Sequence, residues 1–263
     1  MALYVGGTKI NRVVANGTEM HKLYCNGTKV WGYDIEYVGS ASIGYSSTGT
    51  KTISLAGIDI QPDDFMVCTI SNGYHTSSPA PNVPTGFTSL FARSGGSNST
   101  SAIIRVAYKV ATGDETLVSF SANISTSGGG AVVHIFRYVD TTNPFDVEST
   151  SFSGNTYTNN VNPIAITPVT EGSVILVAGV CYAQQGGSWT TTDLLNFKQG
   201  SGYYSAYGGG DDNPLTYYYG SAAGMGYLKW NGNGTYDPQS WTFSGYTGGA
   251  NYMCLTMALR PKY

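Results

Sequence analysis

Asp64-Phe65-Met66-Val67-Cys68-Thr69-Ile70 and Gly172-Ser173-Val174-Ile175-Leu176-Val177-Ala178 are two apolar runs of one kind, and each opens the same succession of strand signals. After the first come Pro84-Thr85-Gly86-Phe87-Thr88, Ile103 to Val110, Val118-Ser119-Phe120-Ser121, and Ala131 to Arg137. After the second come Leu194-Leu195-Asn196-Phe197, Met225 to Trp230, Trp241-Thr242-Phe243-Ser244-Gly245, and Tyr252 to Leu259. The order is an apolar strand, a short strand, an alternating strand, an aromatic Phe-Ser strand and a closing apolar strand. Uninterrupted apolar runs belong to strands covered on both faces, and alternating ones to strands with one face in water. Short strands separated by turn-rich loops predict an antiparallel β-sandwich, jelly-roll-like, over 52–263, with two similar halves.

Composition agrees with an all-β chain. Of 263 residues, 35 are Gly and 21 Tyr, and 11% are charged. Helix formers are sparse, and no window carries an apolar stripe of helical period. The formal charge of −3, without a basic run, argues against a phosphate-binding footprint and so against nucleic acid as a partner. No charged segment followed by an apolar core opens the chain, and no stretch of about eighteen apolar residues spans a membrane. Cys25, Cys68, Cys181 and Cys254 are isolated from one another. They are read as free thiols of a protein made in a reducing cytoplasm.

The N-terminus repeats itself. Leu3 to Ile10, Val13 to Met20 and Leu23 to Val30 share one template, with Gly-Thr at 7–8, 17–18 and 27–28. Gly7 and the Asn-Gly pairs supply residues that tolerate positive φ, as tight hairpins require. Two-residue turns place Leu3 opposite Ile10, Val13 opposite Met20 and Leu23 opposite Val30. With Trp31, these are the expected assembly residues of a hairpin segment over 1–33, followed by a Gly/Ser-rich linker over 34–51. Such short strands need a surface, whether their own body, another copy or a host assembly.

The units around Arg12-Val13-Val14-Ala15-Asn16-Gly17-Thr18 and Lys22-Leu23-Tyr24-Cys25-Asn26-Gly27-Thr28-Lys29-Val30-Trp31 resemble the N-terminal segments of bacteriophage tail and fibre proteins. Val106-Ala107-Tyr108-Lys109-Val110-Ala111-Thr112-Gly113-Asp114-Glu115 and Phe136-Arg137-Tyr138-Val139-Asp140-Thr141-Thr142-Asn143-Pro144-Phe145-Asp146 resemble a β-sandwich module of phage virion and bacterial surface proteins. The resemblance implies a virion component, a tail fibre or tail tip made in the host cytoplasm. It also implies docking on other virion proteins through residues 1–33, and a homotrimer. A capsid decoration or head-fibre role without a specific receptor is the competing reading.

No catalytic constellation is legible. His21, His75 and His134 lack zinc spacing, and no nucleophile elbow or phosphate loop occurs. Neither a cofactor nor a metal is expected. The acidic pairs Asp63-Asp64 and Asp114-Glu115 read as turn residues. Asp211-Asp212 follows Gly208-Gly209-Gly210 and is the one pair in a recognition-like loop. Calcium binding and glycan hydrolysis are the alternatives there, beside a solvated loop tip, but hydrolysis needs a paired acid and base. The Gly200–Gly226 stretch, with Tyr203, Tyr204, Tyr207, Tyr217, Tyr218 and Tyr219 beside Asp211 and Asp212, is the candidate glycan-binding site. Tyrosine gives rigid contact area with a polar tip, and Gly and Ser lend adaptability. Burial of these rings against the sandwich or a neighbouring subunit is the alternative.

Overall fold

The computed structural model describes residues 3–5, 8–10, 13–15, 18–20, 23–25, 28–31, 34–72, 80–93, 102–122, 128–158, 160–183, 188–207, 216–230, 232, 234–244 and 250–262. Of these, the residues within 3–31, 148–158, 160–161, 183, 188–189, 202–207, 216–220, 243–244 and 250–251 are described by their backbone alone. Six short strands come first: β1 (Leu3–Val5), β2 (Thr8–Ile10), β3 (Val13–Ala15), β4 (Thr18–Met20), β5 (Leu23–Cys25) and β6 (Thr28–Trp31). They pair as three separate two-stranded ribbons, one per repeat. The expected partners Leu3–Ile10 and Val13–Met20 are present. In the third ribbon Leu23 pairs with Trp31 and not with Val30, because the register shifts between Leu23 and Tyr24. A one-residue bulge of this kind re-aims one end of a strand.

The first half of the body holds β7 (Glu36–Tyr45), β8 (Gly49–Ser54), β9 (Phe65–Asn72), β10 (Thr88–Arg93), β11 (Ile103–Val110), β12 (Leu117–Ala122) and β13 (Gly129–Arg137). The second holds β14 (Phe145–Thr158), β15 (Asn160–Val161), β16 (Val174–Ala183), β17 (Ser188–Thr190), β18 (Leu195–Tyr207), β19 (Thr216–Lys229), β20 (Trp241–Ser244) and β21 (Ala250–Leu259). Each half is a set of nested antiparallel pairs. The first strand pairs with the last (β7–β13, β14–β21), the second with the last but one (β8–β12, β15–β20), and the third with the last but two (β9–β11, β16–β19). This is the folded-over hairpin of a jelly roll. The sheet orders β10-β11-β9-β13-β7 and β18-β19-β16-β21-β14 correspond strand for strand, and β17 is an addition in the second half.

The turns repeat as well. Asp64 donates its amide to the Gln61 carbonyl, and Ser173 does the same to Thr170. Asp63 and Gly172 sit at the third position of these turns with φ of 69° and 81°. Ala111 and Trp230 return equivalent bonds, from their amides to the Asp64 and Ser173 carbonyls.

The sandwich has four layers. The two five-stranded sheets pack face to face over Phe65, Val67, Val132, Phe136, Leu176, Met225, Leu255 and Met257. On the outer face of the first sheet, Met66, Cys68, Ile70 and Val133 meet Ile53, Val118 and Phe120 of the β8–β12 ribbon. On the outer face of the second, Ile175, Val177, Cys181 and Cys254 meet Ile166, Trp230 and Trp241, beside the β15-β20-β17 sheet. Every residue of β9 is therefore buried, which is why its sequence is apolar without alternation. Cys68, Cys181 and Cys254 are buried free thiols, and burial pushes the Cys68 and Cys254 thiols up.

Two expectations are corrected. Residues 34–51, read as a linker, supply β7, an edge of the first sheet, and the start of β8. Small residues there admit close neighbours: a Cβ on Gly39 would lie 2.9 Å from Ile58 Cγ2. Pro84 to Thr88, read as a strand, is a turn closed by the Phe87 amide on the Pro84 carbonyl, with Gly86 at φ 78°; β10 begins only at Thr88.

The facing sheets grade from apolar to small and polar along their length. At the polar end the Ser71 and Ser221 hydroxyls are hydrogen-bonded, and Ser221 also donates to the Cys181 carbonyl over 2.9 Å. A Cβ on Gly130 would lie 2.6 Å from the Gly200 carbonyl carbon and 3.0 Å from the Ala223 amide. A Cβ on Gly200 would lie 2.6 Å from the Ala131 carbonyl oxygen and would also strike the Ile43 carbonyl. Farther along the same interface His134 is fully buried, 3.0 Å through Nε2 from the Asn196 carbonyl, with Nδ1 lacking a partner. Tyr37 stacks on Tyr227 beside it at 5.1 Å.

Gly130→Ala should cost about 3 kcal/mol or more in denaturant melts, because the obstruction is backbone and cannot rotate away. Burial, opposed by the Asn196 contact and assisted by Lys198, lowers His134 from an ordinary 6.5 to about 4. The unfolded chain then binds a proton that the folded chain refuses. Stability from this group is complete above about pH 6.5, is lost as pH falls towards 4, and totals about 3 kcal/mol. His134→Gln should flatten that part of the pH profile of unfolding free energy.

Candidate functional site

The sequence places six tyrosines in a loop, but the structure places them on strands. Tyr203, Tyr204 and Tyr207 belong to β18, and Tyr217, Tyr218 and Tyr219 to β19. Tyr204 pairs with Tyr219, Ser205 with Tyr218, Ala206 with Tyr217 and Tyr207 with Thr216. Glycine within this stretch marks close packing as well as turns, as Gly200 against the first sheet and Gly226 against Leu194 demonstrate. Asp211, Asp212 and the loop that holds His75 lie outside the described residues, as does His21.

Register fixes where this hairpin ends. β16, the inner neighbour of β19, pairs as far as Ala183 opposite Gly220. The β18–β19 pairing continues four residues beyond, to Tyr207 opposite Thr216. Tyr204, Tyr207, Tyr217, Tyr218 and Tyr219 all fall in this two-stranded extension, and Tyr203 sits opposite Gly220 at its base. A two-stranded ribbon is marginal in water by itself. Here the five-stranded sheet holds its base.

The opposite pole is where the chain enters and leaves the body. Glu36 at the start of β7 pairs with Arg137 at the end of β13. The segment after β13 pairs with the one after β21, through Asp140 N to Arg260 O at 2.9 Å and Lys262 N to Tyr138 O at 2.7 Å. Arg137 clasps the buried Asp64 carboxylate through Nε and Nη2, both at 2.9 Å, and donates to the Asp59 carbonyl at 2.8 Å. Sequence reading assigned Asp64 to a turn and missed this ion pair, whose partner lies 73 residues away. A pocket of roughly 200 Å³ lies among the Gln61–Asp64 turn, Arg137 and Lys262. Its charges are already matched, since Lys262 Nζ lies 3.2 Å from Asp63 Oδ2.

Asp146, Asp193 and Glu115 are also committed to structure. Burial works against the charged form of Asp146, but the Thr170 hydroxyl and the Thr170 and Val169 amides hold it below the ordinary aspartate range. Arg260 Nε stands 3.6 Å away. Asp193 accepts from the Tyr236 hydroxyl, the Gln239 amide and the Thr191 hydroxyl. Glu115 is burdened by partial burial, yet Lys109 at 2.7 Å and the Thr112 and Gly113 amides bring it down to about 2. The Asp114-Glu115 pair thus closes a turn. Among the described residues, no group of His, Cys, Asp and Glu is placed to hold a metal ion. No protein-family model, curated protein or solved structure matches the chain.

Proposed function

We propose that the chain is a structural and adhesion component of a phage particle, a tail fibre or tail tip that binds a host-surface glycan without cleaving it. The observation that carries this reading is polarity. The repeated hairpins lead into one pole of a rigid double jelly roll, and a tyrosine-bearing ribbon stands beyond the other. The three hairpin ribbons leave open strand edges, which favour pairing with another chain. A host assembly docked there, or a symmetric set of three copies, would cover them. The resemblance of the hairpin repeats and of the Phe136 to Asp146 phrase to phage virion proteins supports the same assignment. Non-catalytic binding fits the engagement of Asp64, Asp146, Asp193 and Glu115 in an arginine clasp and turn caps.

A variant lacking residues 1–33 should fold, with a melting curve matching that of the full chain, and should fail to incorporate into particles. Normal incorporation would sink the docking role. Replacing Tyr217, Tyr218 and Tyr219 with Ala should abolish attachment to host cells while changing unfolding free energy by less than about 1 kcal/mol. A large loss of stability would identify these tyrosines as packing residues instead.

A further inference from the structure

His134 lies on the seam where the first half meets the second. It projects from β13 into the sheet interface, with the Tyr37 ring of β7 at 5.7 Å and the Phe136 ring of its own strand at 6.2 Å. Over it runs β18, an edge strand of the second sheet. There Leu195 pairs with Tyr227 and Lys198 with Met225, so Asn196 and Phe197 together stand opposite Gly226. Asn196 sits in this bulge with φ of 47°, a left-handed conformation that asparagine tolerates better than most residues. Its carbonyl meets His134 Nε2 at 3.0 Å, and its side-chain amide donates to the Tyr227 hydroxyl at 3.1 Å.

A carbonyl only accepts, so this contact fixes the proton of the neutral ring on Nε2. Nδ1 is left bare, buried and without a partner. A second proton would put a donor on Nδ1 with nothing to receive it, and its charge would find no counter-ion. β7 presents the Tyr37 phenol and the Ser40 hydroxyl, hydrogen-bonded to each other, and β9 presents Val67. β18 presents Asn196 and the Lys198 ammonium, and β19 presents the Tyr227 phenol. By strand alternation Arg137, with the Glu36 it pairs and the Asp64 it clasps, lies on the outer face of the first sheet. Among the described residues, no carboxylate faces the ring.

We infer that His134 is an acid-sensitive latch: a proton on its ring releases the Asn196 bulge and parts that stretch of β18 from β13, while both sheets stay folded. The covering segment is suited to such a movement. It belongs to an edge strand, its bulged residues stand outside the β18–β19 register, and Asn196 and Lys198 are exposed. While the seam is closed, burial above all holds the ring down to about 4. Released into water, it returns to about 6.5. The open form therefore takes the proton first. Closure is complete above about pH 6.5 and is lost as pH falls towards 4, the open fraction rising about ten-fold per pH unit between. β18 runs on from the bulge through Gly200 to the tyrosine ribbon, so the latch governs how firmly the ribbon's strand is held against the first half.

Amide hydrogen exchange of the full-length protein, corrected for the pH dependence of the chemical step, reads the opening. Between pH 7.5 and pH 5 the opening of segment 195–201 should rise about 30-fold, with 65–72 of β9 and 174–182 of β16 unchanged. In His134→Gln, whose amide still reaches the Asn196 carbonyl but takes no proton, the rise should vanish. An equal rise in all three segments is global unfolding and overturns the local latch. A rise that persists in His134→Gln, or no rise in the wild type, overturns the role of His134. The wild-type imidazole, followed by NMR, should remain largely neutral at pH 5. A ring protonated at pH 6 while 195–201 keeps its protection accommodates its charge in place, and overturns the latch even where the glutamine variant fails to fold.

Discussion

The arrangement of the body depends on a close backbone approach. Where Gly130 of β13 meets Gly200 of β18, neither position has room for a Cβ. Protein interiors are packed too densely to absorb such an atom without moving backbone. This contact lets the two five-stranded sheets close at the end where their facing residues are Ser71, Ser221 and glycine rather than large hydrophobes. It also brings β18 against β7, since the missing Cβ of Gly200 faces the Ile43 carbonyl. At the other end, Phe65, Phe136 and Tyr227 fill the gap with ring contacts, including an edge-to-face pair between Phe136 and Tyr227 at 5.4 Å. Large side chains at one end and glycine and serine at the other set how the two sheets face each other.

The halves keep the same topology while solving one local problem differently. Each must hold the carboxyl-terminal end of its last strand against the turn before its third. In the first half Arg137 does this through a two-point contact with Asp64, and the pairing is what makes burial of that carboxylate tolerable. In the second, the position corresponding to Asp64 is Ser173, whose hydroxyl bonds the Thr170 carbonyl over 2.8 Å. There the carboxylate facing the arginine comes instead from Asp146, and it is held chiefly by turn amides rather than by Arg260. Topology and turn geometry persist across the two halves, and the charge partners do not.

Much of this was legible in the sequence, for reasons that particular residues make plain. The runs from Asp64 and Gly172 announced doubly covered strands, and the paired succession after them announced two halves. Asn16-Gly17 set a two-residue turn and hence the Val13–Met20 register. Signals failed where structure is decided at long range. β7 carries Gly39-Ser40-Ala41-Ser42 at its centre, a weak strand signal, and it forms because β13 offers a partner along its length. Gly202, Gly220 and Gly224 suggested a loop between Gly200 and Gly226, yet they lie within β18 and β19. Glycine marks both turns and close backbone contact, and sequence alone does not separate the two. The tyrosine-rich stretch therefore reads as a loop in the sequence and is a strand pair in the structure.

The polarity on which the functional reading turns follows from the nesting of strands. When the first strand of a unit pairs antiparallel with its last, the unit must begin and end side by side. Glu36 beside Arg137 and Phe145 beside Leu259 are the two instances. The link between the halves then needs only the short segment after β13, and the chain's exit pairs with that segment through Val139 and Pro261. Entry, joint and exit are consequently confined to one pole, where ion pairs and turn caps tie them down. Nesting of this kind fixes by topology alone which end of each half holds its first and last residues. In this chain the tyrosine ribbon stands at the end away from Glu36, Arg137 and Lys262.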